Sequence, residues 1–196
     1  MVYRWKNRGV IKMDYFRIDL LDQYWIDKNN DNQTDFCSHG DIYLMINDQE
    51  IVTEKDGAWT VSSAALRLMK SALYGYDGDN DLPIISCCGY LMNYGCPDTI
   101  TWDAQINNGT IELSNFRFGE VKYGGRSLFQ DSFRVDLEDY TKQVLVFAQK
   151  VKQFYNDSLP RIFSGKSDQD EYEEYWRLFK IYFDLLSEQR FIWGIN

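Results

Sequence analysis

The sequence predicts an α+β domain, in which one short and two long helices pack on one face of a mainly antiparallel sheet. Two observations predict this class. Several strand-like segments lie within residues 15–118 with one helical segment between them, and two long amphipathic helical segments follow. Strand and helix do not alternate strictly, so we do not expect the parallel sheet of a doubly wound nucleotide-binding fold.

Two segments near the start have the alternating pattern of a half-buried strand. Residues 15–26 would place on one face the apolar side chains of Phe16, Ile18 and Leu20. Residues 41–47 repeat the pattern with Ile42, Leu44 and Ile46. Successive side chains of a strand point to opposite faces, so each segment would bury these three residues. A turn at Asp48-Gln49 then predicts a short return strand around Ile51.

The clearest local signal is a β-hairpin in "TITWDAQINNGTIELSNFRF", residues 99–118. Asn108-Gly109 lies between two strand-like runs, as in a two-residue type I′ turn. Asn and Gly tolerate the positive φ angles that this turn requires.

Three segments have helical periodicity. The first, residues 62–73, has Ser62 or Ser63 as its predicted N-cap and carries at helical spacing Leu66, Met69 and Leu73. The second, residues 137–155, has an apolar face and Asp136 as its predicted cap. The third, residues 168–188, has an aromatic-rich face and Ser167 as its predicted cap.

The bulk composition predicts one globular domain over residues 13–196. The chain has 196 residues, 44% of them hydrophobic and 16% aromatic, with three prolines and no low-complexity linker. Its formal net charge of −9 argues against binding to nucleic-acid phosphates or anionic membranes. The same charge would attract a basic protein partner.

Residues 1–12 differ from the rest, since they carry no acid but four basic residues, Arg4, Lys6, Arg8 and Lys12. We interpret them as a basic N-terminal extension and Met13 as the native start, which changes the net charge from −9 to −13. No apolar run is long enough for a transmembrane helix or a secretory signal. The four cysteines do not resemble a disulfide framework, so a reducing cytoplasm is the expected location.

Residues 27–41, "DKNNDNQTDFCSHGD", space their acids and amides as a calcium-binding loop would. Loop positions 1, 3, 5 and 9 would be Asp27, Asn29, Asp31 and Asp35. The glycine of position 6 is replaced by Asn32, and the bidentate glutamate of position 12 by Ser38. Both flanks also resemble strands. The preferred interpretation is therefore a polar turn between two strands, with calcium as the alternative.

The cysteines and the single histidine indicate an alternative site. Zinc takes four nitrogen or sulfur ligands, and the candidates are Cys37, His39, Cys87, Cys88 and Cys96. The same groups would suit a thiol enzyme in which Cys87 or Cys88 is a nucleophile and Asp41 orients the imidazole. The preferred interpretation is a set of mostly buried, reduced thiols, with "CCGYLMNYGCP" as a loop at a sheet edge.

Two acidic clusters remain. "YDGDND" places Asp77, Asp79 and Asp81 on a predicted exposed loop, near tyrosines that would suit a protein-binding surface. "SDQDEYEEYW" begins at residue 167 and places its acids in the first turns of a helix, where carboxylates complement the helix dipole. Neither cluster forms part of a known hydrolase, metalloprotease or phosphate-binding motif.

Residues 14–118 resemble small bacterial immunity proteins of polymorphic-toxin and contact-dependent inhibition systems in the order of their strands, helix, cysteine-rich segment and hairpin. The similarity lies in "FCSHGDIYLMINDQEI", "WTVSSAALRLMKSAL" and "ISCCGYLMNYGCPDTITWDAQINNGTIEL". The resemblance implies a non-enzymatic protein that binds and neutralises a cognate toxin made by the same cell. Immunity proteins share no catalytic set, so it implies no active-site residues.

The leading hypothesis is therefore a cytoplasmic protein-binding domain whose acidic surface binds a basic toxin domain. The predicted binding residues are Asp77, Asp79, Asp81, Asp27, Asp31 and Asp35. The alternative is a zinc- or thiol-dependent enzyme built on the cysteine and histidine residues.

Overall fold

A computed structural model describes residues 13–28, 30–87, 91–119, 125–128 and 131–192, with side chains up to residue 189. The predicted basic extension, residues 1–12, lies outside the described residues. The strands are β1 (Phe16–Tyr24), β2 (His39–Ile46), β3 (Gln49–Val52), β4 (Trp59–Thr60), β5 (Ile85–Ser86), β6 (Thr99–Asn107), β7 (Thr110–Phe118), β8 (Arg126–Ser127) and β9 (Phe133–Asp136). The helices are α1 (Val61–Tyr74), α2 (Leu137–Asp157) and α3 (Lys166–Ile192).

The strands form two antiparallel sheets, which confirms the α+β class. In the first sheet β1 and β2 pair along their lengths, and β3 and β4 pair with β2. The predicted inward residues of both long strands are buried, with Ile42, Leu44 and Ile46 at 0% exposure. The alternating pattern thus assigned the faces of this sheet correctly. β1 ends at Tyr24, and the turn before β3 is Asn47-Asp48, one residue earlier than predicted.

The second sheet is built on the predicted hairpin of β6 and β7. Asn108 and Gly109 both have positive φ, at 46° and 81°, as a type I′ turn requires. β5 extends this sheet beside β6, while β8 and β9 both pair with β7.

The helices join the two sheets. α1 contacts β2 of the first sheet and β5 and β6 of the second, and α2 likewise contacts β1, β7 and β9. α3 packs on α1 and α2. The core they enclose is strongly aromatic, and its largest fully buried side chains include Trp59, Trp102, Tyr140, Tyr175 and Phe116.

The predicted caps of α1 and α3 were wrong, whereas that of α2 was right. α1 begins at Val61 with Thr60 as N-cap, and Ser62 and Ser63 lie fully buried in its first turn. The Val61 N–H donates to the carbonyl of Ser38 at 3.0 Å, so a distant segment supplies the partner that a capping side chain would have supplied. α3 already begins at Lys166, before Ser167.

In α2, the Asp136 carboxylate accepts hydrogen bonds from the backbone N–H groups of Glu138 and Asp139, at 2.9 and 3.1 Å. This is the geometry of an N-cap. It fixes the point at which β9 turns into the helix.

Candidate functional site

The acidic loop between β1 and β2 is held by protein donors. Asp31 pairs with Arg161, with Oδ1 2.5 Å from Nη2, and its Oδ2 accepts the N–H of Leu159 at 2.6 Å. The Asp35 carboxylate accepts the N–H groups of Ile26 and Cys37 at 2.7 and 3.2 Å. These four bonds engage every carboxylate oxygen of Asp31 and Asp35, as expected of a polar turn. Asn29 lies outside the described residues.

The predicted binding acids of residues 77–81 also have internal partners. Asp77 accepts the N–H groups of Asp79 and Asn80 at 3.0 and 3.2 Å. Asp79 forms an ion pair with Arg117 of β7, and Asp81 pairs with Lys70 of α1 at 2.5 Å. Their negative charge is thus partly balanced within the protein. Asp81 also borders a groove of about 210 Å³ between α1 and α3.

The predicted thiol of Cys37 and the imidazole of His39 have different surroundings. Cys37 is buried, and burial raises the pKa of its thiol to about 12, so the thiol stays protonated at neutral pH. The His39 Nε2 lies 3.9 Å from Asp35 Oδ2. Asp41, the residue predicted to orient this ring, accepts the Tyr24 hydroxyl at 3.5 Å. A protonated thiol at Cys37 is a poor nucleophile and a poor metal ligand.

A different group brings metal-ligand atoms together. Among the described residues, Cys87, Cys96 and Asp98 form the one group of three or more such side chains whose ligand atoms lie within 4.8 Å of one another. Cys37 and His39 do not belong to it, and Cys88 lies outside the described residues. Asp98 was not among the predicted ligands.

A cleft of about 410 Å³ with a charged lining lies at the start of α3. One wall is the segment before β2, the other is the link from α2 together with the first turns of α3. Its lining residues are Thr34, Phe36, Cys37, Leu91, Ile162, Ser164, Ser167, Asp168 and Glu171. The lining combines apolar side chains with hydroxyls and two carboxylates. We refer to this cavity as the acidic cleft.

The walls of the acidic cleft are joined by hydrogen bonds between distant segments. The Ile162 N–H donates to the carbonyl of Gln33 at 2.8 Å, and the Gln33 amide donates to the carbonyl of Pro160 at 2.7 Å. The buried hydroxyl of Tyr155 donates to the Phe36 carbonyl at 2.7 Å and accepts the Ser38 N–H at 3.0 Å. The cleft is therefore a fixed feature of the packed structure.

The two carboxylates of the acidic cleft are only partly engaged. One oxygen of Asp168 accepts the Ser164 hydroxyl, and Glu171 Oε1 accepts the Met92 N–H at 3.1 Å. The other oxygen of each accepts no hydrogen bond from the part of the chain that the structure describes. Residues three apart on a helix have Cβ atoms about 5–6 Å apart, so the two carboxylates can act on one ligand.

The charge of the acidic cleft is negative. Its described lining contains two acids and no lysine, arginine or histidine. Apolar lining residues beside two carboxylates fit a side chain with an aliphatic stem and a cationic end, as in lysine or arginine. This arrangement can therefore bind the cationic end of a lysine or arginine side chain.

The acids of the cleft were interpreted from sequence as complements of the helix dipole alone. Asp168 does lie in the first turn of α3. The signal available in the sequence was the density of acids from residue 168 to residue 174. The sequence did not reveal that the segment 34–37 packs beside these acids, and that this packing forms a cleft at the start of α3.

Comparison with known proteins gives no family assignment. No protein-family model matches the chain, and no curated protein or solved structure matches it either. The resemblance to immunity proteins therefore remains a prediction. Within the described residues, the helices are too short or too polar to cross a lipid bilayer.

Proposed function

We propose that this protein is a binding domain for a basic protein partner, and that a lysine or arginine of the partner enters the acidic cleft. The observation that carries the proposal is a lining that combines two partly engaged carboxylates, on Asp168 and Glu171, with apolar side chains and that contains no basic residue among those described. The net charge of −9 supports it, because long-range attraction speeds the encounter with a positively charged partner.

The proposed contact has two parts. The aliphatic stem of the partner's side chain packs on Phe36, Leu91 and Ile162, which line the cleft. Its charged end binds the free oxygens of the two carboxylates through charge-assisted hydrogen bonds. A cation anchored in this way is typical of an interface hot spot, especially when it is an arginine.

The finer hypothesis is that the partner is a toxin made by the same cell, which this protein neutralises as an immunity protein in the cytoplasm. Its support is the resemblance of residues 14–118 and the acidic character of the chain. The predicted binding acids Asp77, Asp79 and Asp81 lie on another loop and would form a secondary contact. The zinc- or thiol-enzyme alternative receives no support from Cys37, because its pKa of about 12 keeps the thiol protonated.

The experiment is a binding titration with the products of genes adjacent to this one, after affinity capture at low salt. Suppose that the basic product of an adjacent gene binds. The double variant Asp168→Asn and Glu171→Gln should then bind it at least about thirtyfold more weakly, since loss of a buried interfacial charge pair costs about 2 kcal/mol or more. These substitutions keep the shape of each side chain. Failure of every neighbour to bind would contradict the proposal.

The matched control is the double variant Asp170→Asn and Glu173→Gln. It changes the net charge equally and lies on the same helix, but neither residue lines the cleft. We expect it to weaken affinity less than about threefold, as rim charges do. An equal loss in both double variants would show that general charge, not the cleft, determines binding.

A small probe tests the cleft without the partner. N-acetyl-arginine amide, titrated into the protein and followed by amide NMR shifts, should perturb residues 34–37 and 162–171 selectively. The Asp168→Asn and Glu171→Gln variant should lose these shifts. Shifts spread evenly over the acidic surface would exclude the cleft as the cation site.

A further inference from the structure

The register of the second sheet places Cys87 opposite Asp98. Ile85 pairs with Ile100 and Ser86 with Thr99, in antiparallel order. The pairing continues one residue beyond β5, because the Cys87 N–H donates to the carbonyl of Asp98 at 3.0 Å. Residues directly opposite in such a ladder have Cβ atoms about 4.5–5.5 Å apart. The Cys87 thiol and the Asp98 carboxylate are therefore neighbours.

Pro97 brings Cys96 to the same place. A residue before proline is restricted to extended conformations, in which residues two apart point to the same side. Cys96 precedes Asp98 by two positions, and its thiol donates to Asp98 Oδ2 at 3.8 Å. The sequence Cys96-Pro97-Asp98 thus aims a sulfur and a carboxylate towards the sulfur of Cys87, and all three ligand atoms lie within 4.8 Å of one another.

We infer that Cys87, Cys96 and Asp98 bind a zinc ion. Zinc takes tetrahedral sites with sulfur ligands at about 2.3 Å and carboxylate oxygens at about 2.0–2.2 Å. Two donors on one such ion lie about 3.5–4 Å apart, so ligands within 4.8 Å need to move by only about 1 Å. A fourth ligand, such as water, completes the tetrahedron. Sulfur ligands select zinc over calcium or magnesium.

The site differs from the zinc site that the sequence suggested, which included Cys37 and His39. It also has a clear structural consequence. The metal would link the two ends of the segment between Cys87 and Cys96. In that segment the Asn93 carbonyl accepts a hydrogen bond from Arg67 at 2.7 Å, and the Met92 N–H donates to Glu171. A closed loop of this kind is stabilised because the ion binds the folded chain and not the unfolded one.

The test uses the full chain, reduced with a phosphine, and zinc as the only ligand. Titration against a chromophoric chelator should give one zinc per chain, and replacement by cobalt(II) should give a sulfur-to-cobalt charge-transfer band. Binding displaces the thiol protons, so affinity should fall as the pH is lowered. Zinc should also raise the melting temperature, and a chelator should reverse the rise.

Three variants assign the ligands. Cys87→Ser and Cys96→Ser should each remove the charge-transfer band or halve its intensity. Asp98→Asn, at an exposed position, should weaken zinc binding at least about tenfold, the loss that even an outer-shell partner causes. Circular dichroism of each variant checks that it is folded.

The control is Cys37→Ala, which removes a cysteine outside the group and should leave zinc affinity unchanged. Two results would overturn the inference: a folded wild-type chain that binds no zinc, or binding that survives loss of both Cys87 and Cys96. The test needs no protein partner, so its failure and failure of the proposed function are distinguishable.

Discussion

The guanidinium of Arg161 lies over the indole ring of Trp25, with its carbon 3.9 Å from the ring centroid. Its side chain is 2% exposed, and it also pairs with Asp31 and donates to the carbonyls of Asn32 and Asp35 at 3.0 and 3.2 Å. One residue of the link between α2 and α3 thus holds residues 31–35 of the polar loop between β1 and β2. That loop continues into one wall of the acidic cleft.

Replacement of Arg161 by alanine should lower the free energy of unfolding by about 2–4 kcal/mol, because it leaves a partly buried carboxylate without its partner and removes a cation–π contact. Urea denaturation measures this. Arg177→Ala is the control, since Arg177 pairs with Glu174 on the surface of α3 and its loss should leave the free energy of unfolding almost unchanged. Equal costs in the two variants would show that Arg161 does not organise the loop.

The stability of the protein should fall as pH decreases below about 6.5 because of His39. Burial lowers the pKa of this imidazole and the nearby Asp35 only partly offsets it, so the unfolded chain takes up the proton more readily than the folded one. Imidazole NMR signals give the pKa directly, as His39 is the single histidine. The variant His39→Gln should lose this part of the pH dependence. Titration of His39 above its ordinary pKa would contradict the prediction.

Substitution of Gly40 by alanine should destabilise the first sheet by about 3 kcal/mol, the upper end of the usual cost of overpacking. A Cβ at this position would lie 2.2 Å from the backbone carbonyl oxygen of Asp22, and neither strand can move away without losing its pairing. Gly165→Ala is the control, because nothing lies within 4 Å of its Cβ position. Thermal and urea unfolding of both variants measure the difference, and similar stabilities would refute the proposed clash.

Cys37 should resist alkylation in the folded protein. Its pKa of about 12 leaves almost no thiolate at pH 8, and its residue is 8% exposed. After brief treatment with iodoacetamide, peptide mass spectrometry should find Cys37 unmodified, while the same treatment in urea should modify it fully. Rapid modification in the folded chain would contradict the prediction.

The sequence predicted the secondary structure correctly where interactions between residues close in sequence determine it. The turn at Asn108-Gly109 follows from the positive φ angles that these two residues accept. Asp136 caps α2 through its own side chain, and this too is visible in the sequence. By contrast, the start of α1 depends on the carbonyl of Ser38, which only tertiary folding brings to the helix.

The candidate site could not be predicted for the same reason. Asp168 and Glu171 have an adequate local role at the start of a helix, and nothing nearby in sequence indicates that Phe36 packs beside them. The zinc ligands depend on β5, a strand of two residues, whose pairing with β6 has too short a pattern to detect. The division of the strands between two sheets likewise depends on contacts between distant segments.

The acidic cleft is assembled from segments that the ribosome makes at different times. Residue 162, on one wall, follows residue 36, on the other, by 126 positions. At about 5–20 residues per second, roughly 6–25 s of translation separate them. A growing chain therefore has no complete cleft to offer until Glu171 has been synthesised, and a partner that depends on this cleft cannot be captured by a shorter nascent chain.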